Sequence, residues 1–151
     1  MIPADIKNLL DQNNLKAIEF EEGSTPTAVT AADKLGVQTG AIAKSILLKG
    51  KNGDFYLIVC AGDKRVSTAK LKQLTGTKTR MATRDELYEI LSFKPGEVCP
   101  FRPKDVPVFI DQSLSTYDLV YPAAGTDSSG VPLSYEKLIT ITGGGECDVT
   151  D

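Results

Sequence analysis

Two apolar runs rich in β-forming residues, 43–50 and 54–62, lie on either side of the tripeptide Lys51-Asn52-Gly53. An Asn-Gly pair between two such runs is a strong signal for a β-hairpin, because both residues accept the positive φ that tight hairpin turns require. We therefore predict two antiparallel strands in the middle of the chain. Any fold that this chain adopts must then contain a sheet built on this hairpin.

Helical and extended segments alternate on both sides of the hairpin. Apolar residues at helical spacing, next to capping residues, predict helices at 3–14, 27–36, 67–76, 83–91 and 134–143. Further strands are predicted at 15–20, 77–82, 106–111, 117–125 and 146–149. The proline-rich segment 93–105 is predicted to be a loop and 126–130 a polar turn. This order predicts a single α/β (α+β) domain over residues 1–151, with a mixed, partly antiparallel sheet flanked by helices.

The chain contains no histidine, which limits its chemistry more than any other feature of the composition. Catalysis by Ser-His or Cys-His pairs is thereby excluded. The cysteines Cys60, Cys99 and Cys147 are widely spaced and form no CxxC pair, so we predict neither a disulfide framework nor a metal site. Any chemistry must rest on lysine, carboxylates, hydroxyls, backbone amides or the substrate itself, without a cofactor.

The composition, with 41% hydrophobic and 25% charged residues, is typical of a soluble globular protein. No apolar run approaches the roughly 20 residues that a membrane-spanning helix needs. The first residues carry no basic segment followed by an apolar one, as a secretory signal would. We therefore expect a cytoplasmic location and no membrane partner.

Charge is unevenly distributed along the chain, although the net charge is only −3. Residues 44–104 carry thirteen Lys or Arg against six acids, whereas residues 105–151 carry one Lys against eight acids. This segregation favours a basic face, which is the electrostatic footprint of a phosphate-bearing partner. A chance distribution over a solvated surface is the alternative.

Several motifs follow one another in a characteristic order. A strand opening Lys-Ser-Ile-Leu-Leu, a turn Ala-Gly-Asp-Lys-Arg, the segment Met-Ala-Thr-Arg-Asp-Glu-Leu and the loop Lys-Pro-Gly-Glu-Val-Cys-Pro-Phe occur in that sequence. Over about residues 20–149 the set resembles the YbaK family, which includes the editing domain of bacterial prolyl-tRNA synthetases and freestanding homologues. The resemblance implies hydrolysis of a mischarged aminoacyl-tRNA, with alanine or cysteine on proline tRNA as the best-known cases.

The resemblance also implies three catalytic residues. Lys44 occupies the position of the family's strand lysine, and a point charge there would stabilise the oxyanion of an ester or hold the terminal ribose and phosphate. Gly96 and Pro100 match the family's Gly-x-x-x-Pro loop, in which glycine allows the backbone to approach a ligand closely. A solvated strand-end lysine and a plain connecting loop are the alternatives.

Eight further residues are predicted to bind the substrate: Asp63, Lys64, Arg65, Val98, Cys99, Gly125, Asp127 and Ser128. The first three match a Gly-Asp-basic turn of the family, where the cations would contact phosphate, and a structural turn is the alternative. Val98 and Cys99 belong to the Gly96–Pro100 loop and are predicted to line the pocket. The last three fall where the family closes its pocket with substrate-specific residues.

The mechanism that the resemblance implies needs no base from the protein. The 3′-aminoacyl adenosine would enter a pocket between the sheet and the 93–103 loop, and water would attack with help from the free ribose hydroxyl. The acceptor end of a tRNA is the predicted partner, and a cognate synthetase is a second candidate. A non-catalytic tRNA- or nucleotide-binding module and a regulatory interaction protein on the same fold are the alternatives.

Overall fold

The computed structural model of the protein describes residues 1–102 and 105–151. Its helices are α1 (Ala4–Gln12), α2 (Ala28–Leu35), α3 (Thr68–Thr75), α4 (Arg84–Leu91) and α5 (Tyr135–Thr142). Its strands are β1 (Ile18–Glu19), β2 (Ile42–Gly50), β3 (Phe55–Ala61), β4 (Thr79–Met81), β5 (Val108–Asp111), β6 (Tyr121–Pro122), β7 (Ser129–Gly130) and β8 (Gly145–Cys147). The predicted mixed α/β fold is confirmed.

The main sheet has the order β4-β2-β3-β5-β8, with β6 beside the first residues of β2. Strands β2 and β3 are antiparallel, in a register that runs from Ala43↔Ala61 to Lys49↔Phe55. Strand β4 is antiparallel to β2, whereas β5, β6 and β8 are parallel to their neighbours. The hairpin predicted from Asn52-Gly53 is therefore confirmed, and so is the mixed sheet built around it.

The outer edge of β2 is shared by two short strands that do not meet. Strand β6 pairs with Ile42 and Ala43, whereas β4 pairs with Leu48 to Gly50. Just before the β4 ladder, the Ala82 amide donates to the Leu47 carbonyl at 2.9 Å. Residues 44–46 therefore lie at an interruption in the pairing of this edge, and such an interruption leaves room for a ligand.

Helix ends agree with the capping residues in the sequence. Thr27, Ser67, Thr83 and Ser134 each accept a hydrogen bond from the amide three residues later. Gly36, Gly76 and Gly143 end their helices in the left-handed conformation. Within the described part of the chain, no helix has the length and apolar character needed to cross a membrane.

Four predicted segments differ in detail. The strand predicted at 15–20 is reduced to Ile18–Glu19. The strand predicted at 117–125 is reduced to Tyr121–Pro122, which pairs with Ile42 and Ala43 of β2. The predicted turn at 126–130 ends in a strand, since Ser129 and Gly130 pair with Glu19 and Ile18. Of the loop predicted at 93–105, residues 103 and 104 lie outside the described residues, and 93–102 contains neither helix nor strand.

Hydrophobic side chains pack on both faces of the sheet. The larger core places Leu57 and Val59 of β3 against α1, α4 and α5, through side chains such as Ile6, Leu87 and Leu138. The smaller core places Ile58 of β3 against Leu71 of α3. Because successive strand residues face opposite sides, a nearly continuous apolar β3 is explained by burial on both faces.

A buried carboxylate joins the end of β5 to the C-terminal segment. Asp111 is 0% exposed. It accepts hydrogen bonds from the Ser113 amide at 3.0 Å, the Val149 amide at 2.7 Å and the Thr150 hydroxyl at 2.9 Å. These donors satisfy a charge that burial would otherwise make costly. Asp111 therefore holds the last residues of the chain against the sheet.

Candidate active site

A cleft of about 230 Å³ opens at the interrupted edge of β2. Its walls come from the start of α2, the first residues of β2, the 96–98 loop and the 121–129 segment. The lining residues are Thr25, Pro26, Thr27, Ala28, Ala31, Leu35, Ile42, Ala43, Lys44, Ser45, Gly96, Val98, Tyr121, Ala123, Thr126, Asp127 and Ser129. A larger groove of about 840 Å³ between the hairpin turn and α4 contains none of the predicted site residues, so the smaller cleft is the candidate site.

Lys44 lies at the mouth of the cleft and is half-buried. Its ammonium donates a hydrogen bond to the Lys64 carbonyl, which joins two motifs that are 20 residues apart. Gly62 allows this turn to lie close to the cleft wall, because a Cβ there would lie 2.6 Å from the Thr39 carbonyl oxygen and 2.9 Å from Ala28 Cβ. The turn therefore positions the lysine head group with a backbone carbonyl.

The side chains of the 63–65 turn lie outside the cleft. Asp63, Lys64 and Arg65 are exposed, and none of them lines it. Only the Lys64 carbonyl reaches Lys44, so a side chain could meet a ligand only where that ligand extends beyond the cleft.

Gly96 and Asp127 are in contact with each other in the wall of the cleft. Gly96 has φ +90°, and a Cβ there would lie 3.5 Å from Asp127 Cβ. The Asp127 carbonyl accepts a hydrogen bond from the Thr25 hydroxyl at 2.9 Å, which ties the turn to the segment before α2. Four predicted residues, Lys44, Gly96, Val98 and Asp127, are thus brought together.

The loop that carries Gly96 is anchored by Arg102. The guanidinium donates to both carboxylate oxygens of Asp5 at 3.0 and 3.1 Å and lies 4.3 Å from the centre of the Phe93 ring. This hydrogen-bonded pair holds the pKa of Asp5 below its usual value. A loop without helix or strand is therefore held in place by side-chain contacts.

Besides the 63–65 turn, four further predicted residues do not line the cleft, and each has a packing reason. Pro100 and Cys99 are buried beneath the loop, and Cys99 belongs to the main core with 0% exposure. Gly125 has φ +86° and packs on α1, since a Cβ there would lie 2.5 Å from Ile6 Cδ1. Ser128 is buried and its carbonyl accepts from the Phe20 amide at 2.8 Å. Contact of these four residues with a ligand stays a prediction, and in this structure their side of the cleft wall is set by packing.

Ser45 is a polar residue of the cleft that was not predicted from the sequence. Its hydroxyl is buried and has no hydrogen-bond partner among the described residues. Backbone groups point to alternate edges along a strand, and Leu47 directs its carbonyl outward to Ala82. Ser45, two residues earlier, therefore directs its N–H and C=O to the same outer edge. A hydroxyl inside the run Ile-Ala-Lys-Ser-Ile-Leu-Leu was the available signal.

The chemistry of the cleft is that of one cation, one carboxylate and several neutral donors. Lys44 and Asp127 supply the charges, while Thr126 and Ser129 share a hydrogen bond at 2.8 Å. Among residues 1–102 and 105–151, no group of three or more Cys, Asp or Glu is placed to hold a metal ion. This set can bind and polarise an ester or a phosphate, and it offers no imidazole or thiolate nucleophile.

Burial keeps all three thiols protonated at neutral pH. It raises the pKa of Cys60 to about 11 and the pKa values of Cys99 and Cys147 to about 12. An unfolded chain releases its thiol protons above about pH 8.5, whereas the buried thiols of the folded protein keep theirs. The folded state therefore has its full stability below about pH 8.5 and loses stability as the pH rises further. Covalent catalysis by Cys99 is therefore disfavoured.

We expect the free energy of unfolding to fall by about 4 kcal/mol between pH 7.5 and pH 9.5, since each of the three thiols can ionise only in the unfolded chain. Urea unfolding at the two pH values measures this change. In Cys60→Ala the difference between the two pH values should shrink by about one third. An unchanged pH difference in that variant would show that Cys60 does not contribute to the alkaline loss.

Together these features define a mixed α/β domain with one lysine-bearing cleft at the open edge of a strand. The family model described as the aminoacyl-tRNA editing domain matches residues 22–141, which include every residue that lines the cleft. The chain therefore belongs to the aminoacyl-tRNA editing domain family. The predicted resemblance to the YbaK and prolyl-tRNA synthetase editing domains is confirmed.

Three related proteins show how widely this domain is used. The uncharacterised protein YwhH of Bacillus subtilis (strain 168) is 37% identical over 121 residues, which cover 80% of this chain and 76% of that protein. The proline–tRNA ligase of Staphylococcus haemolyticus (strain JCSC1435) is 28% identical over 79% of this chain, which spans only 22% of the ligase. The crystal structure of a proposed trans-editing enzyme for prolyl-tRNA synthetase superposes with a TM-score of 0.89 and 28% identity, covering 100% of this chain and 99% of that one.

Proposed function

We propose that the protein is a trans-acting deacylase that hydrolyses the ester bond of a mischarged aminoacyl-tRNA, with alanyl- or cysteinyl-tRNA(Pro) as the first candidate substrates. The observation that carries the proposal is the convergence of Lys44, the Gly96 loop and Asp127 on one small cleft in a member of the editing-domain family. The similarity to a proposed trans-editing enzyme over nearly the full length of both chains supports action in trans.

The ester carbonyl would lie against the open edge of β2. There the Lys44 ammonium and the outward N–H and hydroxyl of Ser45 offer donors to the oxygen that becomes negative in the transition state. These groups are held before the substrate binds, because Lys44 is anchored by the Lys64 carbonyl. Positioning and electrostatic stabilisation then supply most of the rate enhancement.

The attacking group would be a water activated by the substrate. The free hydroxyl of the terminal ribose accepts hydrogen bonding from the water and directs it to the carbonyl carbon. A new C–O bond forms to the water oxygen, the ester C–O bond breaks, and the proton passes to the departing ribose oxygen. The products are the free amino acid and the uncharged tRNA, and no cofactor takes part.

Asp127 lines the same cleft as Lys44, and its carboxylate can accept hydrogen bonds from the α-ammonium group of the amino acid. The cleft volume of about 230 Å³ favours small side chains. Exclusion by size alone discriminates weakly, because one methylene contributes only about 1–3 kcal/mol.

A panel of mischarged tRNAs tests the proposal. We expect catalytic release of labelled amino acid from alanyl- or cysteinyl-tRNA(Pro), and at least about 10-fold slower release of a residue larger by one or two methylenes. Correctly charged prolyl-tRNA(Pro) is the matched control and should be spared. Release at the buffer rate from every substrate would overturn the deacylase assignment, and salt-sensitive tRNA binding without release would identify a binding module instead.

A further inference from the structure

A second cavity of about 230 Å³ adjoins the cleft along β2 and has no role in the mechanism above. We call it the side chamber. It shares Ser45, Gly96 and Val98 with the cleft, so the two spaces are neighbours with a common wall. A substrate whose ester lies in the cleft therefore has the side chamber as an adjacent space for the rest of its chain.

The side chamber combines apolar walls with a single cation. Leu47, Ala82, Leu87 and Pro95 supply apolar surface, and Met81 lies at the rim with 69% exposure. Arg84 is the charged residue that lines it. An apolar space with a guanidinium at its rim is complementary to a nucleotide, whose base is flat and weakly polar and whose phosphate is anionic.

Arg84 is placed against the local electrostatics of its own helix. It is the first residue of α4, where the positive end of the helix macrodipole disfavours a cation. Within the described part of the chain, no carboxylate lies within 4.0 Å of its guanidinium. The neighbouring Arg80 and Lys49 are both paired with Glu86, at 2.8 and 3.2 Å. Arg84 is thus the guanidinium left available at this face.

The basic surface continues in the same direction beyond the side chamber. Residues 45, 47 and 49 lie on one face of β2. Lys51, in the turn that follows, and Lys78 line a further groove of about 400 Å³. A strand rises about 3.3 Å per residue, so Ser45 and Lys51 are separated by roughly 20 Å. Lys51 and Lys78 are therefore further cations beyond the side chamber.

We propose that the side chamber binds the nucleotide that precedes the terminal adenosine, with its base against the apolar walls and Arg84 on the phosphate that links the two nucleotides. This inference rests on the proposed function, because it takes the ester in the cleft as its starting point. It assigns to Arg84 a substrate-binding role that acts on the nucleic acid and not on the amino acid.

Two minimal substrates separate the contribution of this nucleotide. One is the 3′-aminoacyl ester of adenosine, and the other is the same ester on cytidylyl-adenosine, which adds one phosphate and one base. In the wild type we expect the added nucleotide to raise kcat/KM by about 10-fold or more. In Arg84→Ala the gain should fall to less than about 3-fold, while hydrolysis of the adenosine ester stays unchanged.

Two matched variants test whether the effect is specific to the charge at position 84. Arg84→Lys keeps the charge and should recover part of the gain, whereas Lys72→Ala removes an exposed cation of α3, on the opposite face of β2, and should leave the gain intact. An equal gain in wild type and Arg84→Ala, or an equal loss on both esters, would overturn the proposal.

If the protein is not a deacylase, the wild type will hydrolyse neither ester, and this result is distinct from a failure of the side-chamber proposal alone. In that case a titration of unacylated cytidylyl-adenosine against adenosine still tests the side chamber. Tighter binding of the dinucleotide, lost in Arg84→Ala, would support it, and equal affinities would contradict it.

Discussion

Replacement of Lys44 by alanine is expected to lower kcat/KM for the mischarged tRNA by about 100- to 1,000-fold, the range seen when one preorganised oxyanion donor is removed. The lysine lines the cleft and its head group is already positioned by the Lys64 carbonyl. The loss should lie mainly in kcat, because the interaction strengthens as negative charge develops. Single-turnover hydrolysis of alanyl- or cysteinyl-tRNA(Pro) measures the chemical step directly.

The fold should survive this change, since the Lys44 side chain is only half-buried. We expect the Lys44→Ala melting temperature to stay close to that of the wild type. Lys72→Ala, which removes an exposed cation outside the cleft, should keep wild-type activity. Wild-type kcat/KM in Lys44→Ala would contradict the mechanism even if the protein proves to be a deacylase. The water attack would then have to be supported by the other donors of the cleft.

Replacement of Asp111 by alanine is expected to lower the free energy of unfolding by about 4 kcal/mol. The change removes the acceptor of the Ser113 and Val149 amides and of the Thr150 hydroxyl in a site with 0% exposure. Each hydrogen bond to a charged group contributes about 1.5–3 kcal/mol, and each buried donor left unpaired costs a similar amount. Urea unfolding should show this loss, and the melting temperature should fall by roughly 8–15 °C.

The matched control for this prediction is Asp118→Ala, which removes an exposed carboxylate from the segment after the 3₁₀ turn. We expect its stability to lie within about 0.5 kcal/mol of the wild type. Hydrogen exchange in Asp111→Ala should also be faster at Val149 than in the wild type. Equal stabilities of the two variants would show that the C-terminal segment is held by its apolar contacts alone.

Much of the fold could be predicted because its signals are local. The hairpin depends on Asn52-Gly53, and the helix ends depend on capping residues such as Thr83 and Gly36, each of which acts within a few residues of itself. The short strands were harder to predict. Strand β7 exists only because Ser129 and Gly130 meet Ile18 and Glu19, more than 100 residues earlier in the chain.

In the candidate site, too, some residues could be predicted from local motifs and others depend on contacts between distant segments. Lys44, Gly96, Val98 and Asp127 could be proposed from motifs, and the structure brings them to one cleft. Cys99 and Pro100 belong to the same loop motif but are buried, because a loop that covers a core must turn part of its length inward. No local pattern distinguishes the inward from the outward residues of such a loop, and whether they touch a ligand is decided by packing.

The sequence by itself determined the chemistry that this protein can use, because the absence of histidine and the spacing of its motifs do not depend on packing. It also determined the central hairpin and the helix ends, since turn and cap preferences act over a few residues. Only the tertiary structure decided where β2 is left open, which loop residues face that opening, and that Ser45 and Arg84 lie beside it. These features depend on contacts between distant segments, and such contacts form only when the whole core is assembled.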